Sequence, residues 1–279
     1  SFNSLGNFYS YITELCGFAA EKDEGKITGL AALGEPVYAD TLRQFVRYQE
    51  PGRIRYTVPM YHRSALRLIA EKLPADFDPG HLAASVQLIL EEIGTSFVRY
   101  WLNQTGLRNI AVAGGVFANV KFNQRIHELD EVDRFFVHPA MDDSGLCVGG
   151  AQAVLASQRG ADPNRLRQRL PNVYFGTDYS ETEIERALQT SGLQAQYDTQ
   201  VHKTIAHLLA QGHVVARFTG RMEYGPRALG HRTILYQTSD PSVNDWLNER
   251  LKRTEFMPFA PATLAEHADE CYYGLQGAE

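Results

Sequence analysis

Asn109-Ile110-Ala111-Val112-Ala113-Gly114-Gly115-Val116-Phe117-Ala118-Asn119 reads as a short buried strand that runs into a glycine turn and opens a helix. The helix extends from Asn119 to Leu129. A second buried strand follows at Asp133–Val137, then a further helix from about Ser144 to Gln158. Strand, turn, helix, strand, helix is the pattern of an α/β unit built on a parallel sheet.

Upstream, His81 to Leu102 is the strongest helix in the chain. Leu82, Val86, Ile89, Leu90, Ile93, Phe97 and Trp101 fall on one stripe at helical spacing. Phe8 to Phe18 and Ser64 to Leu73 also read as helices, and Arg53 to Val58 alternates as a strand does. Between them Gly25 to Gly34 is glycine-rich and holds a short apolar segment. Downstream, residues 159–172 are polar, with four arginines and two prolines, and mark a domain boundary. A second unit begins near Val173. It reads as a helix Glu181–Thr190 capped by Ser180, a strand Gln194–Tyr197, a helix Val201–Gln211, a strand Val214–Phe218 and a helix Val243–Leu251.

The 279 residues are 44% hydrophobic, 11% aromatic and 22% charged, which rules out disorder as the main state. With 27 Lys+Arg against 33 Asp+Glu the net charge is −6, a poor balance for wrapping nucleic acid. Mean hydropathy is −0.31, and no run of apolar residues is long enough to span a membrane. Cys16, Cys147 and Cys271 are far apart and form no CxxC pair, so reduced thiols in a cytoplasmic protein are the simple expectation. The first residues fall inside helical spacing and the last follow an aromatic cluster, so the chain reads as a fragment of something longer.

Four motifs carry candidate chemistry. The Gly114-Gly115 turn lets backbone N–H groups approach an anion or nucleoside, with the helix N-terminus behind it. It reads equally as a tight strand-to-helix turn with Asn119 as N-cap. Asp142-Asp143-Ser144-Gly145 sets carboxylates at a helix start, where Asp143 can cap the helix or bind a divalent cation beside phosphates. Arg217 to Arg232 holds four arginines and one glutamate, shaped by Gly220, Gly225, Pro226 and Gly230. Arginine's planar fork suits phosphate and carboxylate, and the glycines make an anion pocket a better reading than a solvated basic face. Finally, Lys252 and Arg253 either complete that pocket or complement a helix dipole. No HExxH pair, zinc ribbon or Gly-x-Ser-x-Gly elbow is present.

Together these segments resemble the O-carbamoyltransferase family of nodulation and antibiotic-tailoring enzymes. The resemblance rests on Gly25-Lys26 with Gly29-Leu30-Ala31, on Gly114 to Asn119, on Asp142 to Leu146, and above all on Gly220-Arg221-Met222-Glu223-Tyr224-Gly225-Pro226-Arg227-Ala228-Leu229-Gly230-His231-Arg232. It implies an α/β fold in two parts. Residues 1–165 would form the second lobe of an actin/Hsp70-like domain holding ATP and a divalent metal (Fe, Mn or Mg). Residues 166–279 would form a YrdC-like domain handling carbamoyl phosphate. The implied reaction makes carbamoyl-adenylate from carbamoyl phosphate and ATP, then passes the carbamoyl group to a hydroxyl on a small-molecule acceptor. Matching motifs assign Gly114, Gly115 and Asn119, with Lys26 and Gly29, to the nucleotide and Asp143 to the metal. Arg227 and Lys252, with Arg221 and Arg232 nearby, fall to carbamoyl phosphate. The family pattern also has an HxxxH pair in a first lobe, an arginine where Met257 stands, and basic residues beyond Phe259-Ala260-Pro261, none of which this chain shows. An actin-like kinase or ATPase and a non-catalytic nucleotide-binding module stay open, as does a homo-oligomer. Two spatial expectations follow: Asp143 lies close to the Gly114-Gly115 turn, and Arg227 and Lys252 face one anion pocket.

Overall fold

A computed structural model describes the chain apart from residues 1, 2, 60, 159–161, 163–169, 240, 241, 251–258, 278 and 279. Lys252 and most of the expected 159–172 boundary therefore lie outside the described residues. The chain divides into two compact units, Ser1–Asp142 with Asn244–Glu279, and Asp143–Val243.

The first unit runs α1 (Leu5–Leu15), α2 (Glu24–Ala31), α3 (Ala39–Arg43), β1 (Val46–Gln49), β2 (Arg53–Tyr56), α4 (Arg63–Ala70), α5 (Pro79–Thr105), β3 (Asn109–Val112), α6 (Val120–His127) and β4 (Arg134–Val137). Helix α5 is its axis, and α1, α2, α3 and α6 all pack on it. Its start is fixed twice: the Asp78 carboxylate accepts from the His81 N–H at 3.0 Å, and Pro79 sits in the first turn, where its missing N–H costs nothing. Gly106, at φ 67°, ends it in the left-handed conformation. Leu82, Val86, Ile89 and Leu90 are completely or almost completely buried against Phe8, Ile12, Ile27, Leu42 and Ile126. A Cβ on Gly94 would lie 2.3 Å from the Phe122 ring, so α6 seats that phenylalanine on bare α5 backbone.

Strands β3 and β4 pair in parallel, with Asn109 opposite Arg134 and Val112 opposite Val137, as the α/β reading expects. Phe135 N–H also donates to the Gly277 carbonyl at 2.9 Å, so the tail of the chain lies along β4. Strands β1 and β2 form a separate antiparallel hairpin. Helix α1 covers Leu5–Leu15 rather than Phe8–Phe18. Ser4 caps its start by accepting from the Asn7 N–H, and Gly17, at φ 87°, stops it before Phe18.

The second unit holds α7 (Leu146–Ser157), α8 (Glu181–Ser191), α9 (Val201–Ala210), β5 (Val215–Phe218) and β6 (Arg232–Leu235). Helix α8 opens on a capping box in which Ser180 and Glu183 each serve the other's backbone N–H. Strands β5 and β6 are antiparallel, with Val215 opposite Leu235 and Phe218 opposite Arg232. The sequence reading missed β6. It also placed a strand at Gln194–Tyr197, where the structure has no strand. A strand exists only where a neighbour accepts its N–H groups, and local alternation does not guarantee that neighbour. Helices α10 (Val243–Arg250) and α11 (Ala268–Cys271) follow.

Candidate functional site

In the first unit the glycine turn lies at the carboxyl edge of the β3–β4 pair. Gly114 adopts φ 125°, ψ 145°, which a side chain would strain, and its N–H donates to the Met141 carbonyl at 2.5 Å. That bond joins the segment leaving β3 to the segment leaving β4. Residues 115–118 form a single 3₁₀ turn, whose first N–H groups, those of Gly115 and Val116, have no acceptor within the turn. A Cβ at Gly115 would meet nothing within 4 Å, so backbone here is open to a ligand. Phe117 O accepts from the Asn123 side-chain amide at 2.7 Å, which fixes the turn from α6.

Asn119 is the N-cap of α6, its Oδ1 accepting from the Phe122 N–H at 2.9 Å. Its amide nitrogen donates to Gln87 Oε1 at 2.8 Å and to Thr28 Oγ1 at 3.1 Å. Tyr9 completes the cluster, donating to Gln87 Oε1 at 2.9 Å and pairing with Thr28 Oγ1 at 3.1 Å. Burial pushes the Tyr9 phenol above its usual range. Asn119 therefore serves the turn through its support: one buried network joins the turn to α1, α2 and α5. Gly29 follows Thr28 directly, so this network brings α2 to the turn. Lys26, one helical turn earlier in α2, pairs with Asp23 at 3.0 Å. Sequence reasoning passed over Tyr9, Thr28 and Gln87. The available signal was Gln87, an uncharged polar residue within the apolar α5 sequence.

Asp143 opens the second unit in a 3₁₀ turn, Asp143–Gly145, that leads into α7, and it is exposed. Among the described residues no three His, Cys, Asp or Glu side chains gather as metal ligands. One exposed carboxylate is an incomplete donor set, so Asp143 by itself does not make a metal site.

Within the Arg217 to Arg232 segment, residues 219–231 are an organised loop closing the β5–β6 hairpin. Glu223, 6% exposed, lies inside it. Its Oε1 accepts N–H bonds from Leu229 at 2.9 Å, His231 at 2.8 Å and Arg232 at 3.1 Å. Burial opposes ionisation of this carboxyl, but the converging N–H groups outweigh it and bring it down to about 2. Arg232 braces the same loop: its guanidinium donates to Thr219 O at 2.7 Å and Gly220 O at 2.9 Å and lies 3.5 Å from the Phe218 ring centre. The His231 ring stacks on Tyr174 at 3.6 Å, with Nδ1 2.7 Å from Arg221 O. The Tyr174 hydroxyl donates to Leu229 O at 2.8 Å. Arg221 and Arg227 are exposed on this framework. The loop thus separates its arginines, Arg232 turned into the fold and Arg221 and Arg227 towards solvent.

The described chain is a mixed α/β protein with a glycine turn in one unit and a braced arginine-containing loop in the other. The carbamoyltransferase N-terminus family matches residues 1–152, and the carbamoyltransferase C-terminus family matches residues 206–278. The chain belongs to the carbamoyltransferase family. It is 33% identical over 278 residues to the nodulation protein NolO of Bradyrhizobium diazoefficiens, covering 97% of this chain and 50% of that protein. It is 32% identical over 278 residues to the nodulation protein NolNO of Sinorhizobium fredii, covering 97% and 40% respectively. An uncharacterized protein of Methanocaldococcus jannaschii is 31% identical over 278 residues, covering 96% of this chain and 45% of its own length. The chain spans about half the length of the curated relatives it matches.

Proposed function

We propose that this chain forms part of an ATP-dependent O-carbamoyltransferase of the cytoplasm, in which carbamoyl phosphate is hydrolysed to carbamate and inorganic phosphate, the carbamate takes the adenylyl group of ATP with release of pyrophosphate to give carbamoyl-adenylate, and a substrate hydroxyl then accepts the carbamoyl group with release of AMP. Residues 1–165 take the nucleotide, as the second lobe of an actin-like domain, and residues 166–279 take carbamoyl phosphate, as a YrdC-like domain. The observation that carries the reading is the braced loop with Arg221 and Arg227 exposed, in a chain matched by both carbamoyltransferase families. Carbamoyl phosphate is a small, densely charged anion. Guanidinium groups suit such an anion because their planar fork can donate two hydrogen bonds to it, and a braced backbone reduces the ordering that binding must still impose.

The glycine turn suits a nucleotide. A Cβ at Gly115 would meet nothing within 4 Å, and the N-terminus of α6 that follows the turn adds the positive end of its dipole. Asn119 holds that turn in shape, and Gly29 and Lys26 belong to the helix joined to it. ATP, when bound, would supply the adenylyl group, with pyrophosphate as the leaving group. The chain's own residues orient it, and the absence of a nucleophile triad fits a carbamoyl group that is activated without bonding to the protein.

Calorimetry with carbamoyl phosphate and with ATP on the wild type and Arg227→Ala tests the assignment. The expected result is about a ten- to hundredfold loss for carbamoyl phosphate, from one charged hydrogen bond, with ATP affinity retained. Unchanged carbamoyl phosphate binding would remove Arg227 from the site. Phosphoryl transfer to an acceptor, with no transfer of labelled carbamoyl group, would replace the reading with a kinase.

A further inference from the structure

We propose that the outer face of the β1–β2 ribbon, with the cleft beside it, is a binding site for a sugar phosphate. None of its residues belongs to the glycine turn or to the 217–232 segment, so the site stands independently of the proposed function. Strand pairing sets the two faces of the ribbon. Val46 lies opposite Tyr56 and Tyr48 opposite Ile54, and these turn inwards. Val46 is completely buried, and the Tyr56 ring meets that of Phe8 with centroids 6.1 Å apart. Arg47 opposite Arg55 and Gln49 opposite Arg53 therefore share the outer face, and all four are exposed. The tip of the ribbon is seated as well, because a Cβ at Gly52 would collide with the Tyr100 ring of α5.

Three arginines on one face need a reason in a chain of net charge −6. Arg47 and Arg55 are directly opposed, an arrangement in which like charges repel and cost stability. Elsewhere in this unit Arg43, Arg67, Arg99, Arg108 and Arg125 each pair with a carboxylate. The side chains of Arg47, Arg53 and Arg55 make no hydrogen bond or ion pair among the described residues. Glu50, beside the turn of the ribbon, accepts from the Tyr48 hydroxyl at 2.9 Å.

Arg53 and Arg55 also line a cleft of about 360 Å³ together with Asn3, Ile54 and Phe97. That volume suits a small molecule. Its lining divides by chemistry. The guanidinium forks suit a phosphate dianion. Asn3 Oδ1 accepts from the Tyr56 N–H at 2.8 Å, which fixes the side chain beside β2 and leaves its amide N–H groups for a hydroxyl. Ile54 and Phe97 offer an apolar wall to a carbon frame. A phosphate, hydroxyls and a small carbon frame together make a sugar phosphate. Inorganic phosphate would use the forks and leave the amide and the wall idle.

Calorimetry on the whole chain at low salt tests this, with glucose 6-phosphate, ribose 5-phosphate, glucose and inorganic phosphate as probes. The proteins compared are wild type, Arg53→Gln, Arg55→Gln and, as a control on α4, Arg67→Gln. Wild type should bind at least one sugar phosphate, more tightly than inorganic phosphate, and should not bind glucose. Arg53→Gln and Arg55→Gln should each lose about ten- to hundredfold in affinity, and Arg67→Gln should lose nothing. Arg55→Gln should unfold at no lower temperature than wild type, because it relieves the opposition with Arg47; this separates lost binding from lost folding. Binding of neither sugar phosphate, or equal affinity in wild type and the two ribbon variants, would overturn the proposal. So would inorganic phosphate bound as tightly as the esters, which would make the face an unselective anion patch. ATP affinity falling in parallel in both ribbon variants would assign the arginines to the nucleotide and remove the separate site. Failure of the chain to bind ATP or carbamoyl phosphate would sink the proposed function and leave this site standing.

Discussion

The two units are held together by different physics. In the first, an apolar cluster surrounds α5, and Ile12, Ile27, Leu42, Ile69, Leu82, Ile89 and Ile126 are fully buried. In the second, Glu223 is the one buried residue among those described, and it is a carboxylate. One unit gains its stability from area removed from water. The other gains its shape from backbone N–H groups that converge on a charge. The difference suits the proposed division of labour. A nucleotide turn needs only a rigid edge, which a packed helix behind it supplies. In the second unit the backbone N–H groups of Leu229, His231 and Arg232 on Glu223 do the positioning that apolar packing does in the first.

The largest expected effect falls on the apolar side. Phe8 is 1% exposed and packs within the α5 cluster. Phe8→Ala should cost about 3–5 kcal/mol in denaturant unfolding followed by signals from the first unit. Exchange protection at 229–232 should not change. A cost below about 1 kcal/mol would mean that the apolar cluster does not hold this unit.

Acid should act on the other side. Glu223's carboxyl is depressed from 4.5 to about 2 by N–H groups present only in the folded loop. A depressed carboxyl contributes stability that is complete above its unfolded value and is lost as pH falls through the folded one. Protection of the Leu229, His231 and Arg232 N–H groups should therefore hold above about pH 4.5 and fall away towards pH 2, by an amount on the scale of one charged hydrogen bond, roughly 1.5–3 kcal/mol. In Glu223→Gln the same protection should be flat across this range. A falling profile in that variant would assign the titration to another group.

A third substitution probes the edge between fold and function. Gly114→Ala forces a side chain into φ 125°, a strain of about 1–3 kcal/mol. Thermal unfolding should show that loss. ATP affinity should fall with it, because the turn must shift to relieve the strain. A variant of unchanged stability and unchanged affinity would mean that the turn does not depend on this conformation.

The same contrast decides what could be read from the chain itself. Apolar periodicity is a local signal, so α5, β3, α6 and β4 were legible within a few residues, and so was the parallel pairing of β3 with β4. The capping box of α8 was half legible, because Ser180 announces it. Strand β6 was hidden inside a motif whose composition reads as a loop. What makes Arg232–Leu235 a strand is pairing with β5 and the Glu223 bonds before it, and neither leaves a periodic trace. The arginines of 217–232 stood out as a group, yet their separate duties did not: nothing in spacing says that Arg232 donates inward to Thr219 and Gly220. Gln87 and Tyr9 were hidden for the opposite reason. They lie within apolar helical sequence, where the buried partner that makes each useful is far away in the chain.

The smallest expected effect tests whether surface charge adds to the apolar unit. Arg43 of α3 donates to Glu92 of α5 through Nη2 at 2.7 Å and Nε at 3.2 Å, and to Asp40 at 2.5 Å. The hydrogen bond to Glu92 comes first among the interactions that push Arg43 above its ordinary value. The geometry is bidentate, which favours a measurable contribution. Against this, the Arg43 and Glu92 side chains are 42% and 43% exposed, so water competes for both charges and salt screens them. Beneath them Leu42 is completely buried and already fixes α3 on the core. Arg43→Ala should therefore cost under about 1 kcal/mol in the same unfolding experiment, and less in high salt. A cost approaching that of Phe8→Ala, insensitive to salt, would mean that ion pairs share in holding the first unit and would remove the contrast between the two.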